Sequence, residues 1–285
     1  MKLFRFGILG KEKPGVIFQG EKKDVSSFGE DYNEHFFETD GLQRLEKWVT
    51  NNYAKLPSIF DSTRLGSPIC RPSKIVCIGL NYKDHAKEIN MPVPLEPIVF
   101  LKSTSAIVGS NDDLIIPKNS KKTDWEVELG VVIGKKATYV SKEDALNYVA
   151  GYVLHNDYSE RGFQIEKGGQ WTKGKSCDSF APLGPFMATK DEIPDTNNLR
   201  LWLKVNEVIK QNGTTSQLIF DIPYLISYLS MFMTLLPGDI ISTGTPAGVG
   251  SGFATPQYLQ PGNIVEFGIT GLGSAKQFVR LYEEQ

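Results

Sequence analysis

The stretch Trp125-Glu126-Val127-Glu128-Leu129-Gly130-Val131-Val132-Ile133-Gly134 reads as a buried strand, yet it carries two acids. Side chains alternate faces along a strand, so Glu126 and Glu128 point one way and Val127 and Leu129 the other. Two like charges on one face among apolar neighbours repel each other and lose hydration. A bound cation is the simplest remedy. A third acid, Asp157, ends a second apolar stretch, Tyr152-Val153-Leu154-His155-Asn156-Asp157. Glu126, Glu128 and Asp157 offer oxygen alone, and no His or Cys at metal-ligand spacing accompanies them. All-oxygen ligation points to a hard ion, Mg²⁺ or Mn²⁺ first and Ca²⁺ next, rather than Zn²⁺. Taken alone, the glutamate pair also fits surface residues of an edge strand, and Asp157 fits a cap for a helix entered at Ser159.

The neighbourhood of this strand is rich in further strands. Short apolar or alternating runs cover residues 74–80, 98–101, 113–116, 240–243, 264–269 and 276–281. Residues 199–205 alternate cleanly, with Leu201, Leu203 and Val205 on one face. The clearest helix has Asp221 as N-cap and Pro223 in its first turn, and runs through Leu225, Leu229, Phe232 and Met233. Few helices separate the strands, which argues against a doubly wound parallel sheet and for an α+β fold on a large curved β core. Residues 1–70 read as a small separate unit: two short strands, 3–8 and 15–19, joined by Lys11-Glu12-Lys13-Pro14-Gly15, then a helix over 41–53 with Leu42, Leu45 and Trp48 on one face. The boundary falls at Arg71-Pro72-Ser73, and residues 71–285 form the larger domain.

A chain of 285 residues fits one big domain, or one plus a small appendage. Hydrophobic residues at 40% and charged residues at 22% are ordinary for a globular protein. A formal net charge of -2, with no Lys/Arg stripe, argues against a nucleic-acid partner. No apolar run approaches the ~20 residues of a membrane span, and the N-terminus lacks the apolar core of a signal peptide. Cys70, Cys77 and Cys177 are odd in number and lack CxxC spacing, which fits reduced thiols in a cytoplasmic protein.

Four other places carry residues suited to chemistry. His85 and Glu88 lie three apart and share a face if the segment is helical, an arrangement that orients an imidazole as a general base acting on water. It also fits a solvated ion pair. Of the other histidines, His35 has no polar constellation and His155 reads as structural. Lys175, beside Gly174 among small residues, suits stabilisation of a developing enolate or oxyanion. Thr243-Gly244-Thr245-Pro246-Ala247-Gly248-Val249-Gly250 follows a strand, and its N–H groups and hydroxyls suit a carboxylate; a phosphate loop is excluded because the lysine of GxxxxGK[ST] is missing. Read alone, that loop is also simply a tight turn.

Together these segments resemble the fumarylacetoacetate hydrolase family. The match rests on Ile78-Gly79-Leu80-Asn81-Tyr82-Lys83-Asp84-His85, Phe100-Leu101-Lys102-Ser103, the Glu126–Gly134 stretch, Asn156-Asp157, Gly174-Lys175-Ser176, Pro182-Leu183-Gly184-Pro185 and the 242–250 loop, in family order over residues 73–282. The resemblance implies a mixed β-roll or sandwich for the larger domain, behind a small α+β domain. It implies one Mg²⁺ or Mn²⁺ on Glu126, Glu128 and Asp157, chelating a small 2-oxo acid. It implies water activation by His85 and Glu88, enolate stabilisation by Lys175, substrate contacts from Gln164, Arg161, Gly244 and Thr245, and a homodimer. The Lys11–Gly15 turn and the 159–171 segment are similar to a bacterial subgroup labelled ureidoglycolate lyase, which includes 2,4-diketo-3-deoxy-L-fuconate hydrolases. Glu160-Arg161-Gly162 stands where the wider family has Ala-Arg-Asp, a departure that bears on substrate preference and leaves the metal site intact.

The activity expected from this resemblance is hydrolytic C–C cleavage of a 2,4-dioxo acid to pyruvate and a carboxylic acid. Oxaloacetate decarboxylation, enol–keto isomerisation and ureidoglycolate cleavage would use the same chelation. A non-catalytic metal-stabilised protein would need only the three carboxylates, and the added His85, Glu88 and Lys175 argue against it.

Overall fold

The computed structural model describes residues 1–283. Its spine is the strand Val127–Ile133, in which every residue is buried. It pairs antiparallel with Val149–Asn156, also buried throughout, and on its other side with Ile240–Ser242. Strands covered on both faces have no polar face to show, which is why they read as continuous apolar runs. Ile75–Gly79 and Ile98–Lys102 extend the sheet on one side, and Ala181–Thr189 on the other. A second sheet of five strands runs Val208–Thr214, Arg200–Val205, Ile264–Ile269, Gly273–Leu281 and Leu114–Ile116. Its strands Arg200–Val205 and Ile264–Ile269 pack on the spine, so the core lies between two stacked sheets. The expected α+β class is the observed one, with its strands close to the predicted positions.

The first seventy residues join this architecture directly. Lys2–Phe6 pairs antiparallel with Ala181–Thr189, and the hairpin strands Lys13–Phe18 and Glu21–Asp24 carry the large sheet outward from there. The Met1 ammonium donates to Thr189 Oγ1 at 2.9 Å and Glu192 Oε1 at 2.6 Å, tying the chain start to the far strand. The helix Gly41–Asn52 buries Leu45 and Val49 most deeply, while Leu42 and Trp48 pack at the margin. These residues share one continuous hydrophobic core with the rest of the chain.

The predicted helix is Ile222–Phe232, and the Asp221 carboxylate accepts from the Tyr224 N–H at 2.8 Å, as an N-cap should. Among the described residues no helix is long and apolar enough to cross a membrane. The cap proposed for Asp157 belongs instead to Glu160, whose side chain accepts from Gly162 N–H at the head of Arg161–Ile165.

Candidate active site

Cross-strand register assembles the carboxylates. Glu128 stands opposite His155, and continuing the ladder one pair sets Glu126 beside Asp157, whose N–H donates to the Glu126 carbonyl at 2.8 Å. Glu126, Glu128 and Asp157 thereby leave the same face of two neighbouring strands. All three are buried, and one oxygen from each lies within 4.8 Å of the others. Three buried carboxylates with no nitrogen or sulfur donor among them fit a hard divalent ion.

Fixed cations surround the cluster. Lys175 Nζ donates to Glu126 Oε2 at 2.7 Å and Asp157 Oδ2 at 2.8 Å. Lys102 Nζ holds the other Asp157 oxygen at 2.5 Å and the Tyr158 carbonyl at 3.1 Å. Arg161 spans Glu126 Oε1 at 2.7 Å and Asp124 Oδ2 at 2.8 Å. Among the described residues Glu128 has no cation in contact: Ser242 Oγ, at 2.5 Å, and the Gly244 N–H, at 2.9 Å, both donate to its Oε2.

These surroundings split the acids. Burial alone would raise the Asp157 carboxyl, but Lys102 and Lys175 overturn that and hold it well below the usual carboxylate range. Glu128 goes the other way: burial first, then Asp157 and Glu126, push it well up. Burial works against the charge on Lys175, yet Asp157 and Glu126 outweigh it and raise its pKa. Lys175 is therefore a cation at neutral pH.

His85 and Glu88 sit on the short helix Lys83–Glu88. His85 Nδ1 meets Glu88 Oε2 at 2.9 Å, leaving Nε2 as the free ring nitrogen. The other Glu88 oxygen accepts from the Gly248 N–H at 2.8 Å, so the glycine-rich loop fixes the acid that orients the histidine. Asn81 clamps the base of this arrangement, donating to the Thr243 carbonyl at 2.8 Å and accepting from the Phe220 N–H at 2.8 Å. Gly248 has φ +106°, and a Cβ there would meet the Lys210 carbonyl at 2.0 Å. Gly248→Ala is expected to destabilise the fold by about 2–3 kcal/mol, seen as a lowered Tm.

The expected substrate contacts are placed differently from one another. Gln164 lines the cavity above the cluster; its Oε1 accepts from Arg161 Nη1 at 3.0 Å, which leaves its amide N–H groups to donate. Arg161 also lines the cavity, but its guanidinium is engaged with Asp124 and Glu126. Thr245 lines it with its proton already donated to the Val127 carbonyl at 2.9 Å, and its oxygen accepts from Gln211 Nε2 at 2.8 Å. Gly244 does not line the cavity, because its N–H is spent on Glu128.

Two residues without an assigned role stand out. Lys102 is fully buried on Asp157. Asp124 accepts from Arg161 and from the Gly250 and Ser251 N–H groups, at 2.6 and 2.9 Å, and so ties the loop to the cluster. An acid directly before the Glu-x-Glu strand was the available signal for Asp124.

The cavity, about 390 Å³, is lined by His85, Glu126, Glu128, Lys175, the three expected contacts above, Ser251 and apolar residues. A larger cleft, about 790 Å³, lies beside Arg5 and Arg64, but these are already paired with Asp31 and Asp112. His155 is structural. Its Nδ1 meets the Pro182 carbonyl at 3.0 Å, its Nε2 has no partner among the described residues, and burial lowers its pKa to about 4. The unfolded chain takes up this proton near pH 6.5 and the folded chain only near 4, so stability falls as pH drops through that window. The expected loss is about 3 kcal/mol, read from denaturation midpoints between pH 7 and 4, and His155→Gln should flatten it.

The family model for the fumarylacetoacetate (FAA) hydrolase C-terminal region matches residues 74–280. A Burkholderia multivorans protein described as a hydrolase is 50% identical over 282 residues, covering 98% of this chain and 99% of the relative. Fumarylacetoacetate hydrolase from psychrophilic Exiguobacterium antarcticum superposes with a TM-score of 0.85 at 33% identity, covering 99% of this chain and 100% of that one. Maleylpyruvate hydrolase from Sphingobium sp. SYK-6, solved with manganese(II) and pyruvate, gives 0.83 at 28% identity, with coverage of 99% and 100%. By a profile match over residues 74–280 and near-full-length similarity at 50% identity, the chain belongs to the fumarylacetoacetate hydrolase family, whose enzymes act on ketonic substrates.

Proposed function

We propose that the protein hydrolyses a C–C bond in a 2,4-dioxo acid, giving pyruvate and a carboxylic acid. The observation that carries this is one cavity lined by both the buried acids Glu126 and Glu128 and the Glu88-anchored His85. The resemblance implies two substrate classes, an acylpyruvate or a 2,4-diketo-3-deoxy sugar acid. A homologue crystallised with manganese and pyruvate supports the metal and the pyruvate-like end.

Glu126, Glu128 and Asp157 would hold Mg²⁺ or Mn²⁺, which supplies Lewis-acid polarisation and a template for the 2-oxo acid end. His85 Nε2 takes a proton from water, with Nδ1 steadied by Glu88. The water oxygen adds to the C4 carbonyl, the C3–C4 bond breaks, and its electron pair leaves as the pyruvate enolate. The Lys175 ammonium stabilises that negative charge until C3 is protonated. Gln164 donates its amide N–H groups to the substrate's polar head.

Purified protein with Mg²⁺ or Mn²⁺ is expected to release pyruvate from 2,4-dioxo acids, read by a coupled lactate dehydrogenase assay. No release from any of a series of varied tails, with metal bound, would refute the reading. The protein is proposed to work as a cytoplasmic homodimer, which sedimentation of the purified chain tests.

A further inference from the structure

We infer that the far end of the substrate is an apolar alkyl or aryl group, not a carboxylated or hydroxylated one. This rests on the reading of the site as one for 2,4-dioxo acids. Burial orders the cavity from floor to rim. Glu128 and Lys175 are each 2% exposed, whereas Ile89 is 39%, Met91 52% and Ile165 64% exposed. A head bound at the floor therefore sends its tail outward past Ile98, Phe100 and Trp171 to this rim.

The wall is continuous and aromatic in part. Phe100 and Trp171 meet edge to face at 5.3 Å between ring centroids, and the Lys175 ammonium lies over the Phe100 ring at 5.1 Å. Phe100 thus marks where the charged floor gives way to the apolar wall. Trp171 in turn closes on Gly79, where a Cβ would meet its ring at 2.6 Å and Ile98 at 3.4 Å. A glycine there leaves room for the indole.

The charges are all spent at the floor. Apart from the imidazole of His85, the basic side chains lining the cavity are Arg161 and Lys175. Arg161 is committed to Asp124 and Glu126, and Lys175 to Glu126 and Asp157. No other Lys or Arg lines the cavity among the described residues. A tail carboxylate would lie along the apolar wall without a counter-charge, and a polyol tail would meet Ser251 there, because Gln164 and Thr245 sit at the buried floor. An alkyl or aryl tail instead removes apolar surface from water on both sides.

Calorimetric titration of the manganese-loaded protein tests this without turnover. 2-Oxooctanoate is expected to bind at least ten-fold more tightly than 2-oxooctanedioate. Between 2-oxopentanoate and 2-oxooctanoate, affinity should rise by up to about four-fold for each methylene. Ile89→Arg, at an exposed rim position, should narrow the gap at least five-fold in favour of the dioate. Equal or tighter binding of the dioate, no gain with chain length, or no binding of any of them overturns the inference. Pyruvate release from acylpyruvates with the same tails is run alongside. If the tail preference holds and no pyruvate appears, the hydrolytic reading fails and the tail inference stands. If pyruvate comes fastest from carboxylated or polyhydroxylated tails, the reaction stands and the tail inference falls.

Discussion

Glu128→Gln is expected to give a protein that is more stable without metal, binds Mg²⁺ or Mn²⁺ at least about 100-fold more weakly, and releases no pyruvate. Glu128 is the acid of the cluster that no cation touches among the described residues; its partners are the Ser242 hydroxyl and the Gly244 N–H. Burial and the neighbouring Asp157 and Glu126 raise its pKa. A carboxyl whose folded pKa lies above its unfolded value loses stability as pH rises through the unfolded value, near 4.3. The loss continues up to the folded pKa. A neutral amide of the same shape removes that loss and still accepts from Ser242 and Gly244. The gain at pH 7 should be at least roughly 1 kcal/mol and should vanish below about pH 4. Thermal melts at both pH values, with metal titrations, read the two effects.

Asp157→Asn should separate from it in sign. Asp157 is engaged by Lys102 on one oxygen and Lys175 on the other. Neutralising it leaves Lys102 buried beside an amide and a carbonyl, and stranding one member of a buried ion pair costs on the order of 3–5 kcal/mol. Both variants lose metal, but one gains and the other loses stability. That contrast distinguishes a site built for an added cation from a saturated structural ion-pair network, in which both changes would destabilise.

The contrast also marks what the sequence could reveal. Alternation alone places Glu126 and Glu128 on one face, because a strand has a fixed period of two. Alternation cannot say that Glu128 faces His155 across the ladder, since register depends on the partner strand. It cannot say that Lys102 compensates Asp157, because only the fold brings together residues so far apart. The strand Ala181–Thr189 is hidden by Pro182, Gly184 and Pro185, residue types that break a strand pattern. Its ladder with Val149–Asn156 breaks register between Val153 and His155, which takes Pro185 out of the pairing. Val208–Thr214 hides for the opposite reason. Its Val208 and Ile209 are exposed while Gln211 is fully buried. Gln211 accepts from the Val127 N–H at 2.9 Å and donates to Thr245 Oγ1 at 2.8 Å, so a polar residue holds the loop against the spine.

His85→Ala is expected to lower hydrolytic pyruvate release by about 10²–10⁴-fold, the usual worth of a positioned general base, while leaving metal affinity unchanged. The helix Lys83–Glu88 holds His85 apart from the carboxylate cluster, and its contact is with Glu88 rather than with Glu126, Glu128 or Asp157. Reactions at the same site that need no attacking water supply the control. Decarboxylation of oxaloacetate requires only the chelated head and a stabilised enolate, so His85→Ala should reduce it less than ten-fold. Glu88→Gln should fall between, because the amide still accepts from Gly248 but orients the imidazole less firmly than a carboxylate. Equal losses in both reactions would assign His85 to binding or folding, and retained hydrolysis would remove it from the reaction. Only loss of hydrolysis with decarboxylation spared identifies the Glu88-anchored imidazole as the group that activates water.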